Sequence, residues 1–366
     1  MDVDFLETLY DQPGPCACVY LNTDRADASA DHMIELRWRA LRARLEQEGT
    51  DFRTLGALDA AVGTDRGLPS PHGQALFAAD GQVLLQEELR ASTTPDRATL
   101  AEVPDVMPLL AQHPDIPAHV LVVVDRTGAD IEVLTSGGVC SRGRVRGVDH
   151  PVSKVGAGDW NQPRYQRRAE NTWNANARSA AKTVEWVAAS HHAAMIAVAG
   201  DVRARTLLLE HLDPVWRPRA IALDSAADGD HAARQRVRDE AAVIAAEFEE
   251  AARAQLRERF ARGLADGGAV EGLEPTVEAM RTGAVDTLLL RYGDEEAEAP
   301  TWWGPEPGQL AVRSAELADV RAQQTRRDRA ADVLVRALVR MRGRLLVVAK
   351  GEPGPAGGVG AVLRYS

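Results

Sequence analysis

The residues whose types and spacing most clearly indicate a chemical function lie between His150 and Lys182. This segment carries six basic residues against two acidic ones, in a chain whose formal net charge is −11. Arginine and lysine neutralise phosphates, aromatic rings stack on unpaired bases, and asparagine or glutamine can hydrogen-bond base edges. An acidic chain with one basic segment is expected to insert a single element into nucleic acid. The alternative for the same residues is a solvated, flexible basic loop.

Within this segment the aromatic residues Trp160, Tyr165 and Trp173 are interleaved with cations and amides. The predicted RNA-binding residues are Trp160, Asn161, Gln162, Arg164, Tyr165, Gln166, Arg167, Arg168, Arg178 and Lys182. A second basic set, on a predicted helix, has two interpretations: an RNA-facing surface or the solvated side of the helix. It comprises Arg37, Arg39, Arg42 and Arg44.

Motifs for catalysis and cofactor binding are missing from the sequence. It has no HExxH, GxSxG or GxxxxGK[ST], and no GxGxxG that follows a strand and opens a helix. Cys16, Cys18 and Cys140 lack CxxC spacing, so we predict buried thiols rather than disulfides or a zinc site. Asp125 ends a predicted strand, but a nuclease-type metal needs further carboxylates. We therefore predict no catalytic residue, no metal and no cofactor.

The elements before residue 115 combine both periodicities. CACVYLN at 16–22 predicts a strand, and residues 32–45 predict an amphipathic helix with Met33, Leu36, Ala40, Leu41 and Leu45 on its apolar face. A further helix is predicted over 52–62. Asp80-Gly81 lies between two strand-like runs and predicts a hairpin.

The middle of the chain begins at a proline-marked boundary near Pro114 and Pro117. Its pattern predicts a three-stranded meander, then the basic segment, and then a helix that includes Trp173. Alternating strands and helices follow, and a long helix spans about 231–262. The last segment predicts an α-β-α sandwich, and its proline-bounded insertion carries Trp302 and Trp303 as an exposed-looking pair. That pair is either a cap over its domain or a partner-binding patch.

The order of the predicted elements indicates a mixed α/β (α+β) fold, and 366 residues exceed one usual core, so we expect several domains. The predicted domains are 1–115, 116–262 with the basic loop at 150–182, and 263–366. No apolar run approaches the roughly 18–20 residues that span a bilayer, and the acidic N-terminus does not read as a secretory signal. We expect a cytoplasmic protein without membrane contact.

This order of elements, with GAVDTLLLRYG at 283–293 and GGVGAVLRY at 357–365, resembles the bacterial archaeo-eukaryotic release factor family. The resemblance extends from about Phe5 to Tyr365 and is strongest to the actinobacterial branch related to the ribosome hibernation factor Balon. It implies an N-terminal domain that faces the decoding site of the small subunit. It also implies a ribonuclease-H-like middle domain and a last domain like the ribosomal proteins L7Ae and L30e.

The sequence departs from the family in the motif itself. Release factors of this family carry Gly-Gly-Gln followed by a pattern close to Ser-x-x-Arg-Phe-x-Arg, and the glutamine positions the hydrolytic water. Here 164–167 reads Arg-Tyr-Gln-Arg, which places Gly158, Asp159 and Trp160 where Gly-Gly-Gln would stand. A tryptophan lacks the amide that directs water, so the resemblance predicts the RNA-binding part of the motif without the hydrolytic part.

The resemblance therefore implies a non-catalytic factor that binds rRNA of both ribosomal subunits at the vacant A site, as a tRNA mimic, in hibernation, stress response or stalling. Elongation factor Tu or another translational GTPase is the implied partner. One alternative is a peptidyl-tRNA hydrolase of ribosome rescue that uses Gln162 or Gln166. A ribonuclease-H-like nuclease is the third reading, and the lack of an acidic cluster disfavours it.

Overall fold

The computed structural model of the chain describes residues 1, 3–12, 14–26, 29–66, 70–89, 95–112, 117–135, 138–146, 162–224, 231–319 and 325–365. Contacts divide the chain into two compact units. The first unit combines residues 1–113 with residues 255–366, and the second comprises residues 114–254. The division into three domains stays a prediction.

The first unit begins with a four-stranded antiparallel sheet. Its strands are β1 (Cys16–Asn22), β2 (Gly73–Ala79), β3 (Gln82–Leu89) and β4 (Arg97–Ala101), in the order β3-β2-β1-β4. Its helices are α1 (Glu7–Asp11), α2 (Ala30–Gln47), α3 (Phe52–Ala61) and α4 (Met107–Leu110). Asp80 and Gly81 join β2 to β3 with φ angles of 49° and 76°. The predicted hairpin is confirmed, since positive φ at both turn residues is typical of a tight two-residue turn.

Helix α2 buries the predicted Leu41 and Leu45, but the rest of its buried face differs from the prediction. Met33 and Leu36 are 41% and 40% exposed, and Ala40 is exposed as well. The buried side chains are Ala30, Ile34, Trp38, Leu41 and Leu45. Trp38 decides the rotation, because its ring packs in the core while its Nε1 donates to Asp59 Oδ1 at 2.9 Å. Trp38 is not one of the residues predicted for the apolar face.

The second unit is built on a five-stranded sheet of order β7-β6-β5-β8-β9. Its strands are β5 (His119–Val124), β6 (Gly128–Thr135), β7 (Gly138–Arg146), β8 (Met195–Gly200) and β9 (Ala220–Ala222). β5, β6 and β7 form the predicted antiparallel meander, and β8 and β9 continue the sheet in parallel with β5. Three antiparallel strands extended by two parallel ones agree with the expected ribonuclease-H-like domain.

Helices cover both faces of this sheet. They are α5 (Gln162–Ser190), α6 (Val202–His211) and α7 (His231–Asp266). α5 and α6 contribute to the core on one face, and Val237, Ala241 and Ala245 of α7 contribute to the core on the other. α5 begins at Gln162, so the basic loop predicted to reach residue 182 is helical over its second half. Cys140 is exposed on β7, contrary to the prediction of burial, whereas Cys16 and Cys18 are buried.

The last part of the first unit contains a mixed sheet of order β10-β16-β11-β15. These strands are β10 (Ala269–Glu271), β11 (Val285–Leu290), β15 (Arg344–Val347) and β16 (Val359–Leu363). Helices α8 (Leu273–Arg281) and α10 (Ala330–Arg340) pack on one face, and Phe260 of α7 packs on the other. The predicted α-β-α sandwich is confirmed, and with it the mixed α/β multi-domain fold.

The proline-bounded insertion forms a small sheet that the sequence did not predict. It contains β12 (Pro300–Trp303), β13 (Leu310–Ala311) and β14 (Arg326–Arg329), with α9 (Ser314–Asp319) beside it. Trp303 is buried, its Nε1 donates to Asp328 Oδ2 at 2.7 Å, and Arg336 lies over its ring. Trp303 therefore belongs to a cap over this part of the fold, and the interpretation of an exposed tryptophan pair is wrong for it.

One hydrophobic core joins the two parts of the first unit. Tyr20 and Phe77 of the first sheet belong to the same buried cluster as Leu334 and Leu338 of α10 and Leu288 of β11. Within the part of the chain that the structure describes, no helix is long and apolar enough to cross a membrane.

Candidate nucleic-acid interface

Helix α5 carries the candidate interface and is amphipathic along its described side chains. Its buried positions recur every three or four residues, as they do in a helix that packs on a sheet. They are Asn176, Ala177, Ala180, Ala181, Val184 and Ala188. The exposed positions on the other side are Asn171, Asn174, Ala175, Arg178, Ser179, Lys182 and Trp186. The small apolar face anchors the helix, so the polar and cationic face points away from the core.

The predicted RNA-binding residues fall into three groups. Trp160 and Asn161 lie outside the described residues, as do Gly158 and Asp159. The first turns of α5 contain Gln162, Arg164, Tyr165, Gln166, Arg167 and Arg168, whose side chains also lie outside the described part. Arg178 and Lys182 are exposed and one helical turn apart. For these two cations alone, the structure gives the surroundings of the side chain.

The charges of Arg178 and Lys182 are not compensated by any residue that the structure describes. Neither side chain makes a hydrogen bond or an ion pair with any residue that the structure describes. Carboxylates of the same face do not neutralise them, because Glu185 is engaged with the backbone N–H of Asp213, whose nitrogen lies 2.6 Å from Glu185 Oε1. Two unpaired cations on a rigid helix are suited to contacts with phosphate groups.

The arginines of α2 differ because each has an acidic partner. Arg39 pairs with Glu35 at 3.1 Å and Arg44 with Glu48 at 2.9 Å, both along the helix. Arg42 and Arg37 form ion pairs with carboxylates outside α2, those of Asp59 and Asp96 respectively. The structure therefore favours the solvated-helix interpretation of this set over an RNA-facing one.

Two of the three arginines of strand β7, Arg142 and Arg144, are compensated as well. Arg144 donates to Asp130 Oδ2 at 2.8 Å, and Arg238 of α7 donates to both carboxylate oxygens of Glu132 at 2.7 Å. The hydrogen bond from Arg144 holds the pKa of Asp130 below its ordinary value, and Arg238 does the same for the pKa of Glu132. These pairs tie β7 and α7 to the sheet.

Trp173 lies in a shallow cleft between the ends of β5 and β8. The guanidinium of Arg126 lies 5.1 Å from the ring centroid and that of Arg203 lies 5.3 Å from it. Asn176 Nδ2 donates to the carbonyl oxygen of Arg126 at 3.2 Å, which fixes α5 to the turn after β5. The two guanidinium groups occupy part of the ring surface that a base would need. Trp173 therefore has contacts within the fold, and its stacking on a base stays a prediction.

Two carboxylates end the adjacent parallel strands, where a ribonuclease-H-like nuclease would hold metal. Asp125 Oδ1 accepts from the backbone N–H groups of Thr127 and Gly128 at 2.6 and 2.8 Å. Asp201 Oδ1 caps α6 by accepting from the backbone N–H groups of Arg203 and Ala204. Both carboxylates are thus engaged in local turns, and the described residues contain no group of three or more potential metal ligands.

Sequence reasoning missed Trp186, whose side chain is 69% exposed. It follows Lys182 by four residues, as Lys182 follows Arg178, so all three lie along one face of α5. That spacing was present in the sequence and could have identified the residue. The apolar positions of this helix, which dominate its periodicity, do not include Trp186.

Comparison with known proteins identifies the family. Residues 118–266 match bacterial archaeo-eukaryotic release factor family 2. The uncharacterized protein Rv2629 of Mycobacterium tuberculosis H37Rv is 30% identical over 363 residues, which cover 96% of this chain and 94% of Rv2629. The chain belongs to the bacterial archaeo-eukaryotic release factor family. It is therefore a release-factor-like translation factor, as its resemblance predicted, and the match includes the sheet and helices around the candidate interface.

Solved structures with detectable similarity to this chain are more distant from it in sequence. Ribosome-bound archaeal Pelota, described together with ABCE1, is 15% identical over 99% of this chain and 94% of that chain, with a TM-score of 0.42. Dom34 of S. cerevisiae, a termination-like factor that interacts with Hbs1, is 11% identical over 80% and 79%, with a TM-score of 0.41. The archaeal termination factor aRF1 is 16% identical over 98% and 96%, with a TM-score of 0.26.

Proposed function

We propose that this chain is a cytoplasmic, non-catalytic factor that binds the vacant A site of the ribosome during hibernation or stalling. Its first segment would approach the decoding site. The basic segment and α5 would insert into ribosomal RNA near the peptidyl-transferase centre. The chain would contact rRNA of both subunits in the manner of a tRNA.

The observation that carries this proposal is the contrast between α5 and the other basic sets. Arg178 and Lys182 are exposed and have no partner among the described residues, whereas the arginines of α2 and two arginines of β7, Arg142 and Arg144, are paired with carboxylates. In a chain with a formal net charge of −11, α5 carries five basic residues against one acidic residue between positions 164 and 182. This distribution favours contact with a polyanion through a single inserted element.

We propose a non-catalytic factor because Trp160 occupies the position at which the family resemblance places the catalytic glutamine. An aromatic ring has no amide with which to orient a water molecule against an ester. The competing activity, hydrolysis of peptidyl-tRNA through Gln162 or Gln166, would need one of these amides to take over that task. Peptide release is therefore the outcome that would replace this proposal with one of ribosome rescue.

The GTPase partner is part of the same proposal. A factor that enters the A site competes with tRNA, which elongation factor Tu delivers, so elongation factor Tu or another translational GTPase is the partner that we propose. This suggestion derives from the family resemblance. Pull-down of elongation factor Tu by the chain in the presence of ribosomes, and its loss without them, would support it.

The decisive test is co-sedimentation of the native chain with ribosomes from growing and from stressed cells. The wild-type chain should migrate with ribosomes, and binding should weaken steeply as salt increases. The double variant Arg178→Ala/Lys182→Ala should bind more weakly, and its salt slope should fall by about one for each phosphate contact that is lost.

The matched control is Arg39→Ala/Arg44→Ala, which removes the same charge from paired, exposed positions on α2. It should sediment like the wild-type chain. If the two double variants lose binding equally, net charge rather than α5 drives association. If the wild-type chain does not migrate with ribosomes at physiological salt, the proposed function is wrong.

A further inference from the structure

Trp186 is an aromatic side chain without a structural role in the fold. Its ring is 69% exposed on α5, and it makes no hydrogen bond or ring contact within the part of the chain that the structure describes. Burial of tryptophan is a large source of stability, so an exposed ring contributes little to folding. Tryptophan is enriched among the residues that dominate binding energy at interfaces.

The other described tryptophans all have partners. Trp38 and Trp303 are buried and donate to the carboxylates of Asp59 and Asp328. The remaining three lie beneath arginine guanidinium groups: Trp173 under Arg126 and Arg203, Trp216 under Arg219, and Trp302 under Arg327. Trp186 is thus the described tryptophan whose ring is open to a ligand.

Trp186 continues the line of unpaired cations on α5. The positions Arg178, Lys182 and Trp186 are spaced by four residues, so they span about 12 Å along the helix at 1.5 Å per residue. A cation that contacts phosphate next to a ring that can stack on a base is the combination found in grooves for single-stranded nucleic acid. The three side chains present this combination on one rigid face.

We propose that Arg178, Lys182 and Trp186 form a binding stripe for unpaired RNA, in which a base stacks on the ring of Trp186 and the two cations contact the neighbouring phosphates. This inference rests on the proposed function, because ribosomal RNA is the RNA it would meet. It adds a specific contact that the family motif does not contain, some twenty residues beyond that motif in the sequence.

The surroundings of Trp186 favour RNA over a protein partner. Its neighbours one turn away on the helix are Lys182 and Thr183 before it and Ala189 and Ser190 after it. A protein hot spot is usually centred in a larger apolar patch that excludes water. Here the ring is bordered by a cation and by small or polar side chains, which suits a stacked base beside a phosphate better than an apolar protein surface.

The test uses the full chain and three substitutions of Trp186. Trp186→Phe keeps an aromatic face, Trp186→Leu keeps apolar bulk without one, and Trp186→Ala removes both. Affinity is measured by anisotropy with a fluorescent, unstructured oligouridine and by co-sedimentation with ribosomes. Base-aromatic stacking predicts a loss of about five- to a hundredfold for Ala and Leu and near wild-type binding for Phe.

Phe52→Ala is the control, because Phe52 is an exposed aromatic residue, 78% exposed, at the start of α3 in the other unit. It should bind both ligands like the wild-type chain. Thermal unfolding of all four variants should match that of the wild-type chain. A lower unfolding temperature for Trp186→Phe would show that the ring packs in the fold and would overturn the proposal.

The remaining outcomes separate this inference from the proposed function. If Trp186→Ala binds oligouridine and ribosomes normally while Arg178→Ala/Lys182→Ala no longer binds ribosomes, the stripe is wrong and the proposed function stands. If Trp186→Ala loses binding to ribosomes but keeps binding to oligouridine, the ring contacts protein and the RNA stripe is wrong. The same conclusion follows if Trp186→Leu binds as well as Trp186→Phe. If oligouridine binding depends on Trp186 but the wild-type chain does not sediment with ribosomes, the stripe stands and the A-site proposal fails.

Discussion

Asp105 and Arg329 form an ion pair across 224 positions of the sequence, and both side chains are largely buried. Arg329 also pairs with Asp332, and Asp105 also pairs with Arg97. The backbone N–H of Val106 donates to Asp332 Oδ1 at 3.2 Å. The network therefore connects the end of the first sheet to the start of α10 within the first unit.

Removal of Arg329 should destabilise the first unit. Arg329→Met leaves Asp332 buried with the backbone donor as its remaining described partner, and loss of one member of a buried pair costs about 3–5 kcal/mol. The measurement is the free energy of unfolding in urea. The control Arg39→Met breaks an exposed pair with Glu35 and should cost less than about 0.5 kcal/mol. Equal effects of the two substitutions would contradict a structural role for the network.

Asp332 should also make stability depend on pH. Burial raises its pKa from 3.8 to about 7, although Arg329 opposes the shift. Between these two pH values the folded chain holds a proton that the unfolded chain has lost, so the contribution of Asp332 to stability is largest at low pH and declines as pH rises towards 7. In Asp332→Asn this contribution is gone.

The check is a series of urea unfolding curves from pH 4 to pH 8 for the wild-type chain and Asp332→Asn. The difference between the two free energies should change across this range, by about 1.4 kcal/mol for each pKa unit of the shift. Other titrating groups, among them His119 with its lowered pKa, act equally on both proteins and cancel. Parallel curves would mean that the pKa of Asp332 is not raised.

The first turns of α5 should contribute phosphate contacts. Replacement of Arg164, Arg167 and Arg168 together by alanine should strongly reduce ribosome association and leave thermal stability nearly unchanged. Arg39, Arg42 and Arg44, all replaced by alanine, provide a control with the same loss of charge. Wild-type co-sedimentation of the first triple variant at physiological salt would contradict insertion of α5, and its unfolding would show that these arginines belong to the fold.

We expect that neither Gln162 nor Gln166 takes part in the hydrolysis of peptidyl-tRNA. Purified chain incubated with ribosomes that carry peptidyl-tRNA should release peptide no faster than buffer does. If either amide oriented water, its replacement by alanine would lower turnover about a hundredfold or more. Release that depends on either glutamine would favour ribosome rescue over the proposed non-catalytic binding.

Local patterns predicted much of the fold because they reflect local physics. The meander of β5, β6 and β7 was readable from apolar runs bounded by turn residues, and the hairpin of β2 and β3 from Asp80-Gly81. The face of α2 was missed because the sequence does not show that Trp38 satisfies its indole N–H at Asp59 while packing in the core. The small sheet of the insertion was missed because β13 is two residues long and gives no periodicity.

The candidate site, like the fold, could be predicted from the sequence only in part. The concentration of cations near α5 is a property of composition and was visible in the sequence. That Arg178 has no partner among the described residues, while Arg39 and Arg144 are paired, depends on which carboxylates the fold brings near, and so it required coordinates. Likewise, the contacts of Arg126 and Arg203 with the ring of Trp173 required coordinates. The two arginines lie 47 and 30 positions away in the sequence and reach the ring only in the folded unit.

Occupation of the ribosomal A site is the central claim, and chemical footprinting of ribosomal RNA tests it most directly. Vacant ribosomes are probed with and without saturating chain, and the Arg178→Ala/Lys182→Ala variant serves as the comparison. We predict protection at the decoding site of the small subunit and near the peptidyl-transferase centre of the large subunit, with the large-subunit protection weakened in the variant. Protection confined to other sites, or none under conditions in which the chain sediments with ribosomes, would contradict the claim.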